Sequence, residues 1–517
     1  MLLFSILIYF LFTCLVCISF FQKTTPSKFL QIFFLIVFAS NILLFEILSF
    51  FTAADRPLIF LTVQLVFFGL SSFLILKKHP VQLLELKPQL TSFFFGLKKV
   101  DYVLISFIGV ILAAFFIVGI TTPPNNLDSF DPSHLPRIYY WIQNGTLQSI
   151  NSTHFSDLIK PINAHIQGFW LFSLGRSENL FFLVQWFSLV IITASIYDIA
   201  RSLKFASTPS LVSAIVGLSF PVALLQSYSS QGDLTVAALP LISISWAMAF
   251  INRKNKVDLI GAILAFCLAL GTKNAAFLIA PVMGLYVAFW LMVNKKIKQF
   301  LPWFGVVLAI LLVFSGFQFV QNMIKTGSVF GIKQIITEPL PAEQIAIKAK
   351  YNFPRYIYQF IGFDGLPKPI QEKLTAIKAR VFENIFVPRG IDLEKEVYLL
   401  AGFNEGERFN FNATPVLSED TSWFGPIGLI IPFGLLFSFL SAKNQIKKYA
   451  LFAFLIFLSF FFLVFLQRQG WDPYQGRYFL IVVLPLVPLI SILIPNQKVF
   501  ANIAITLIVR INASIFE

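Results

Sequence analysis

The sequence predicts an all-α integral membrane protein with about 13–14 transmembrane helices, interfacial helices and one large extracytoplasmic loop. Three observations carry that expectation. The chain is 57% hydrophobic and only 12% charged, where soluble domains carry about 25% charged residues. Its 63 phenylalanines suit hydrocarbon better than water. Its apolar residues gather in runs close to the roughly 20 residues a helix needs to cross a bilayer, and the mean hydropathy is +0.79.

Apolar runs near 1–21, 29–52, 58–76 and 102–120 open the chain. The first lacks a basic stretch and is long for a signal-peptide core, so it reads as a retained helix. A polar stretch over 121–178 follows. It contains IYYWIQ and AHIQGFWLFSLG, whose Trp141 and Trp170 suit short amphipathic helices at the bilayer surface. Runs near 179–199, 208–228, 234–251, 258–271, 275–293 and 300–320 come next, with 258–271 short and ending in GTKN. The mixed-charge stretch 321–422 reads as a cap, with amphipathic helices over 342–360 and 369–386 between Pro and Gly. Runs near 424–441, 449–466 and 478–494 follow, with a weaker one over 499–516. Four regions result: N-terminal spans over 1–100, a core over 101–320 with a first outer loop over 121–178, a loop subdomain over 321–422, and C-terminal spans over 423–517.

The formal charge of +14 is distributed as topology, not as a nucleic-acid surface. Alternate short gaps, from Lys23 and Lys28 to Lys443, Lys447, Lys448 and Lys498, hold 19 Lys and Arg. The opposite short gaps hold Arg56, Lys273, Arg468 and Arg477. By the positive-inside rule the N-terminus lies outside. The expected location is a bacterial inner membrane, crossed many times. Cys14, Cys17 and Cys267 all fall in apolar runs, so neither a disulfide framework nor a zinc site is expected.

Five polar clusters then emerge on the outer face, and together they suggest an active site. Asp128 and Asp131, in NNLDSFDPSHLPR, are candidates for a general base acting on an acceptor hydroxyl. They can alternatively hold a divalent cation, Mg or Mn, or simply be polar loop residues. His134 and Arg137 follow at once as candidate substrate contacts. Asp233 in SQGD stands where an N-cap would, or faces the same cavity as a supporting carboxylate. Lys273 in GTKN sits against the positive-inside bias, so phosphate binding competes with snorkelling. Glu419 and Asp420 can supply carboxylates or cap the next span. Arg477 has the fork that fits phosphate oxygens. Asn144, Asn151, Asn412 and Asn512 open N-x-S/T triplets, which matter only in a eukaryotic secretory setting. No HExxH, GxSxG, P-loop or strand-linked GxGxxG occurs, which leaves metalloprotease, hydrolase and nucleotide-driven readings without support.

DSFDPSHLPRIYYWIQNGTL resembles the first outer loop of bacterial GT-C glycosyltransferases, the group containing protein O-mannosyltransferases and aminoarabinose transferases. LQSYSSQGDLTVAA, LALGTKNAAFLIAP and GWDPYQGRYFLIVVLP are similar, in order, to later blocks of one bacterial branch, so the resemblance spans roughly 100–495. It implies a GT-C fold and catalysis by an acid of the first outer loop, hence Asp128 or Asp131. It also implies a sugar carried on a polyprenyl phosphate. Two departures stand out. The branch's Asp-Ser pair lies about five residues before the His of HLPR, whereas Asp128 precedes His134 by six and Asp131 by three. The branch's Asn before the Asp at 233 is Gly232.

The expected function is inverting transfer of a sugar from a polyprenyl-phosphate donor to an acceptor hydroxyl on a glycan, lipid or protein, at the outer face. The alternatives are an O-antigen ligase or polysaccharide polymerase, which would rely on loop residues such as Arg408, and a non-enzymatic lipid-glycan flippase. The flippase would place charges deep within spans, and here nearly all stand at span ends.

Overall fold

The computed structural model describes residues 1–21, 24–78, 97–124, 134–149, 159–293, 298, 300–331, 341–395, 409–411, 417–467, 471 and 473–494. All regular structure among them is helical. In chain order the elements begin with α1 (Leu2–Phe20), α2 (Pro26–Phe50), α3 (Pro57–Lys78), α4 (Lys99–Thr121), α5 (Leu135–Asn144) and α6 (Asn163–Gly175). Then come α7 (Leu183–Ser202), α8 (Ser207–Leu218), α9 (Pro221–Gln226), α10 (Asp233–Arg253), α11 (Lys256–Leu270), α12 (Ala275–Val293) and α13 (Phe300–Thr326). The chain continues with α14 (Ala342–Phe360), α15 (Lys368–Phe386), α16 (Gly425–Gly428), α17 (Ile430–Leu440), α18 (Asn444–Gln467) and α19 (Gly476–Val483), which runs into a 3₁₀ segment over Leu484–Leu493.

Nine stretches among the described residues are long and apolar enough to cross a membrane, and three shorter apolar helices accompany them. The chain is thus a multi-pass, all-α membrane protein. The expected run at 499–516 lies outside the described residues. Local chemistry sets several boundaries. Thr25 caps α2 by accepting from the Lys28 amide at 3.2 Å, and Pro26 stands at the first helical position. Asn255 caps α11 in the same way through the Val257 amide at 3.0 Å. The run read as one span over 208–228 is broken into α8 and α9 at Pro221, because proline disfavours helical geometry in the residue before it. The run at 478–494 tightens to 3₁₀ where Pro485 and Pro488 remove backbone donors.

α10 forms the axis, packed against α7, α11 and α19, while α2 lies across α6 and α7. α5 and α6 form where interfacial helices were expected. Their tryptophans, however, are buried in the fold: Trp141 contacts Phe169, and the Trp170 indole donates to Ser5 Oγ at 3.2 Å.

Helix ends sort onto two polar faces. On one, Ser27 and Lys28 of α2 meet Asp198 of α7 and Asp258 of α11 at 2.5 and 3.0 Å. The Lys28 ammonium stands 3.1 Å from the centre of the Trp246 ring, and Gln445 of α18 donates to Ser202 O at 2.9 Å. On the other, the Gly145 turn meets the α2–α3 corner, with the Ala54 amide donating to Gly145 O at 3.0 Å. There too the Asn163 amide donates to Gly271 O at 3.0 Å. The grouping matches the alternation of basic and non-basic gaps in the sequence.

Candidate functional site

The second face carries the polar clusters. α10 begins at Asp233 with Gly232 in the cap position, so Asp233 is not the N-cap it was alternatively read as. It stands in the first turn, where the helix dipole favours an anion. Its Oδ1 accepts from Lys273 Nζ at 2.5 Å, and Oδ2 has no partner among the described residues. Lys273 leaves the end of α11 through a turn that Asn163 fastens, its backbone amide donating to Gly271 O at 3.0 Å, while its side-chain nitrogen ties that turn to α13 by donating to Phe314 O at 2.9 Å and to Ser315 Oγ at 3.2 Å. The Asp is fully buried while Lys273 keeps 28% of its side-chain surface. Lys273 therefore has an open side, and it faces Tyr478, with Nζ 4.7 Å from the ring centre.

The same ring is approached by Arg477, whose guanidinium carbon lies 5.2 Å from its centre and whose Nη2 donates to the Tyr478 hydroxyl at 3.4 Å. Arg477 Nη1 donates to Asp420 Oδ1 at 2.5 Å and to Gln231 Oε1 at 2.7 Å. Gln231 in turn donates to Asp420 Oδ1 at 3.1 Å. Behind it, Gln226 donates to Gln231 Oε1 at 3.3 Å and to the Glu419 carbonyl at 2.8 Å. Gln185 donates to Gln226 at 3.1 Å and accepts from the Leu234 and Thr235 amides at 3.0 and 3.1 Å. This amide chain ties the start of α10 to the strip that carries Asp420. The Glu419 carboxylate acts on Tyr228, whose hydroxyl is pushed up to about 12, by burial first and by Glu419 second.

The 417–425 strip is anchored from the cap. Buried Asp364, between α14 and α15, accepts from the Trp423 amide at 2.8 Å, and the Val222 amide donates to Trp423 O at 3.1 Å. Gly425 has φ of +61°, and a Cβ there would stand 2.6 Å from Asp364 O, so the position requires glycine. Burial raises the Asp364 carboxyl above its ordinary value.

A histidine pair borders the cations. His134 Nδ1 lies 2.9 Å from His165 Nε2. Both imidazoles are held well below the ordinary histidine value, by burial first, with Lys160, Arg137 and Lys273 adding repulsion to each and Arg477 adding it at His134. His165 Nδ1 is buried with no partner among the described residues. Such an orphan is cheaper as an acceptor than as a donor. That favours His165 Nε2–H donating to His134 Nδ1, which leaves His134 with its hydrogen on Nε2. Arg137 is buried and donates to Lys160 O at 3.2 Å.

Asp233, Lys273, Asp420 and Arg477 are thus brought together through Tyr478 and Gln231, and His134 and Arg137 stand within electrostatic reach. Asp128, Asp131 and Arg408 lie outside the described residues. Among the described residues no group of three or more His, Cys, Asp or Glu side chains is arranged to hold a metal. The expected divalent cation on Asp128 and Asp131 also falls outside them. Tyr478, Gln231, Gln226, Gln185, His165 and Asp364 were not read from sequence as site residues. For Gln185 a signal existed, an amide inside the apolar run LFFLVQWFSLV.

Residues 161–317 match the family described as dolichyl-phosphate-mannose-protein mannosyltransferase, in accord with the resemblance to GT-C enzymes. The matched segment holds Asp233 and Lys273 and ends before Asp420 and Arg477. No curated protein matches the chain. Among solved structures, ArnT from Cupriavidus metallidurans bound to undecaprenyl phosphate is similar at 14% identity, over 77% of this chain and 77% of that chain, with a TM-score of 0.37. ArnT in its apo state is similar at 14% identity over 75% and 76%, with a TM-score of 0.33. Scores that low do not equate two folds.

Proposed function

We propose that this chain is a GT-C-type membrane glycosyltransferase that moves a sugar from a polyprenyl-phosphate donor to an acceptor hydroxyl. The site would face the exterior, or the periplasm, of a bacterial inner membrane. The observation that carries the reading is the meeting of Lys273 and Arg477, from distant parts of the sequence, against one tyrosine at the polar end of an apolar bundle. An anionic headgroup on a long apolar tail fits both halves of that arrangement.

In the proposed reaction the acceptor oxygen attacks the sugar C1 from the face opposite the phosphate, with inversion. The C1–O bond to phosphate breaks and its electron pair stays on the phosphate oxygen. The hydroxyl proton passes to Asp128 or Asp131. A lipid phosphate is already a weak base, so it needs charge stabilisation more than a proton. Lys273 and Arg477 supply it, each aligned by a carboxylate. His134, kept neutral, contributes a hydrogen bond and no charge. A divalent cation, if one is required, would rest on Asp128 and Asp131.

Purified protein, a short-chain polyprenyl-phosphate sugar and a set of candidate acceptors test the reading. Transfer should fall by roughly 10²–10⁴ with Asp128→Asn or Asp131→Asn, while donor binding survives. Wild-type levels of transfer in both variants would remove the general base from the first outer loop. Donor binding unaffected by Lys273→Ala would end the phosphate assignment.

A further inference from the structure

The cap helix α15 is amphipathic the wrong way round for a helix in water. The face it turns to the protein holds Gln371, Thr375, Ala379 and Phe382. Beside them Lys378 reaches inward to donate to the Tyr358 and Ile361 carbonyls at 3.0 and 2.8 Å. Its uncovered side carries Ile370, Ile377, Val381 and Ile385, spaced by seven, four and four residues and 42–53% exposed, with Leu374 half-buried between them. A water-facing helix would put polar residues on that side.

The charges on α15 are sorted around the stripe. Lys373 and Arg380 are the fourth residue before and the third after Ile377, so both stand next to it along one edge of the stripe. Glu372 and Glu383 lie further round, on the rim of the protein-facing side, where Glu383 follows Ala379 by four.

Apolar surface is exposed on α14 and α18 as well. α14 is fastened to the C-terminal end of α18 by Lys348, whose Nζ donates to Phe465 O at 2.5 Å. Its Phe353 packs on Phe461 at 5.6 Å and is itself exposed, as are Phe462 and Leu466 of that span. α14 meets α15 in the interior, through the buried Tyr358 and Phe382 rings at 5.0 Å.

We propose that α15 lies in the plane of an anionic bilayer surface, its Ile and Val stripe at the boundary of the acyl chains and Lys373 and Arg380 among the headgroups. Apolar area with basic residues along its edge is a combination by which interfacial helices bind. The cap is then held from below by lipid as well as from the side by α18. This inference stands on the helix's own faces, independently of the transferase reading.

The test uses the full-length chain with Cys14, Cys17 and Cys267 replaced by alanine. Single spin-labelled cysteines are placed at Ile377 or Glu383, and the protein is held in nanodiscs containing phosphatidylglycerol. Collisions with oxygen report lipid, and collisions with a water-soluble nickel chelate report solvent. The expected result is a roughly fivefold higher oxygen-to-chelate ratio at 377 than at 383. In nanodiscs of neutral phosphatidylcholine, or with Lys373→Glu and Arg380→Glu, the ratio at 377 should fall towards that at 383. Equal chelate access at the two positions would overturn the proposal. So would a label at 377 shielded from both reagents, which would mean a protein covering, identified as a second copy if dilution into excess lipid exposes it. A ratio unchanged between the two lipids would overturn the requirement for anionic headgroups.

Discussion

Asp364 shows how a residue distant from any reacting atom can govern the site. Its carboxylate is buried and accepts the Trp423 amide, so it fixes the strip that presents Asp420 to Arg477. Asp364→Ala leaves that amide without its acceptor, a loss of about 1–3 kcal/mol that should appear as a lower melting temperature in detergent. Asp364→Asn keeps an acceptor oxygen in place and should recover most of it. The histidines set a pH dependence. Their folded pKa values lie below the unfolded value of about 6.5. At these two sites the unfolded chain therefore binds more protons than the fold between the two values, and the histidines' contribution to stability declines as pH falls through about 6.5. Melts between pH 7.5 and 5 should show that decline, and His165→Gln should flatten it. Under the proposed function, Lys273→Ala removes one charge-assisted phosphate contact, worth about 1.5–3 kcal/mol. Donor affinity should drop by roughly tenfold to a hundredfold or more in a binding assay.

At the scale of elements, the apolar periods announced the spans, because lipid demands long runs of apolar residues. They could not announce where proline would divide a run, as at Pro221 and Pro485. The site was legible in part for a related reason. Asp233, Lys273, Asp420 and Arg477 stand in polar gaps flanking apolar runs, and such contrast is visible without a fold. Gln226 and Asp364 have no such contrast, and only folding reveals that one joins Gln231 to Glu419 and the other holds Trp423. Gly145 illustrates a boundary set by shape. It ends α5 with φ of +63°, and a Cβ there would stand 2.7 Å from Thr52 O. Gly145→Ala should cost at least about 1–2 kcal/mol from the left-handed backbone, plus the displacement of the α2–α3 corner. Gly145→Asn tolerates the backbone but not the contact. If both variants melt at the wild-type temperature, the corner is not packed as described.

On the whole-molecule scale, the two polar faces make a single prediction of sidedness. Cysteines introduced at Lys254 and Lys447 should resist a membrane-impermeant reagent in intact cells, and one introduced at Asp420 should react. The reverse pattern would turn the protein over and put the site in the cytoplasm.

The clasp at the other face has a consequence for how the chain is made. Lys28 is buried on α2, yet its partner Asp258 lies 230 residues later. Gln31 depends likewise on Trp246, and Asn41 on Gln167. At a synthesis rate of about 5–20 residues per second, α2 is complete roughly 10–45 s before Lys28 can meet its carboxylate. During that interval a helix built to be enclosed sits in the bilayer with its charge unmatched, while Asn41, already held by Tyr9, waits for Gln167 and Gln31 waits for Ser195, Asp198 and Trp246. The insertion machinery, or water at the membrane edge, has to hold it until α10 and α11 arrive. Nascent chains halted before residue 258 should therefore keep α2 within reach of crosslinkers on that machinery, and chains halted well beyond it should release it.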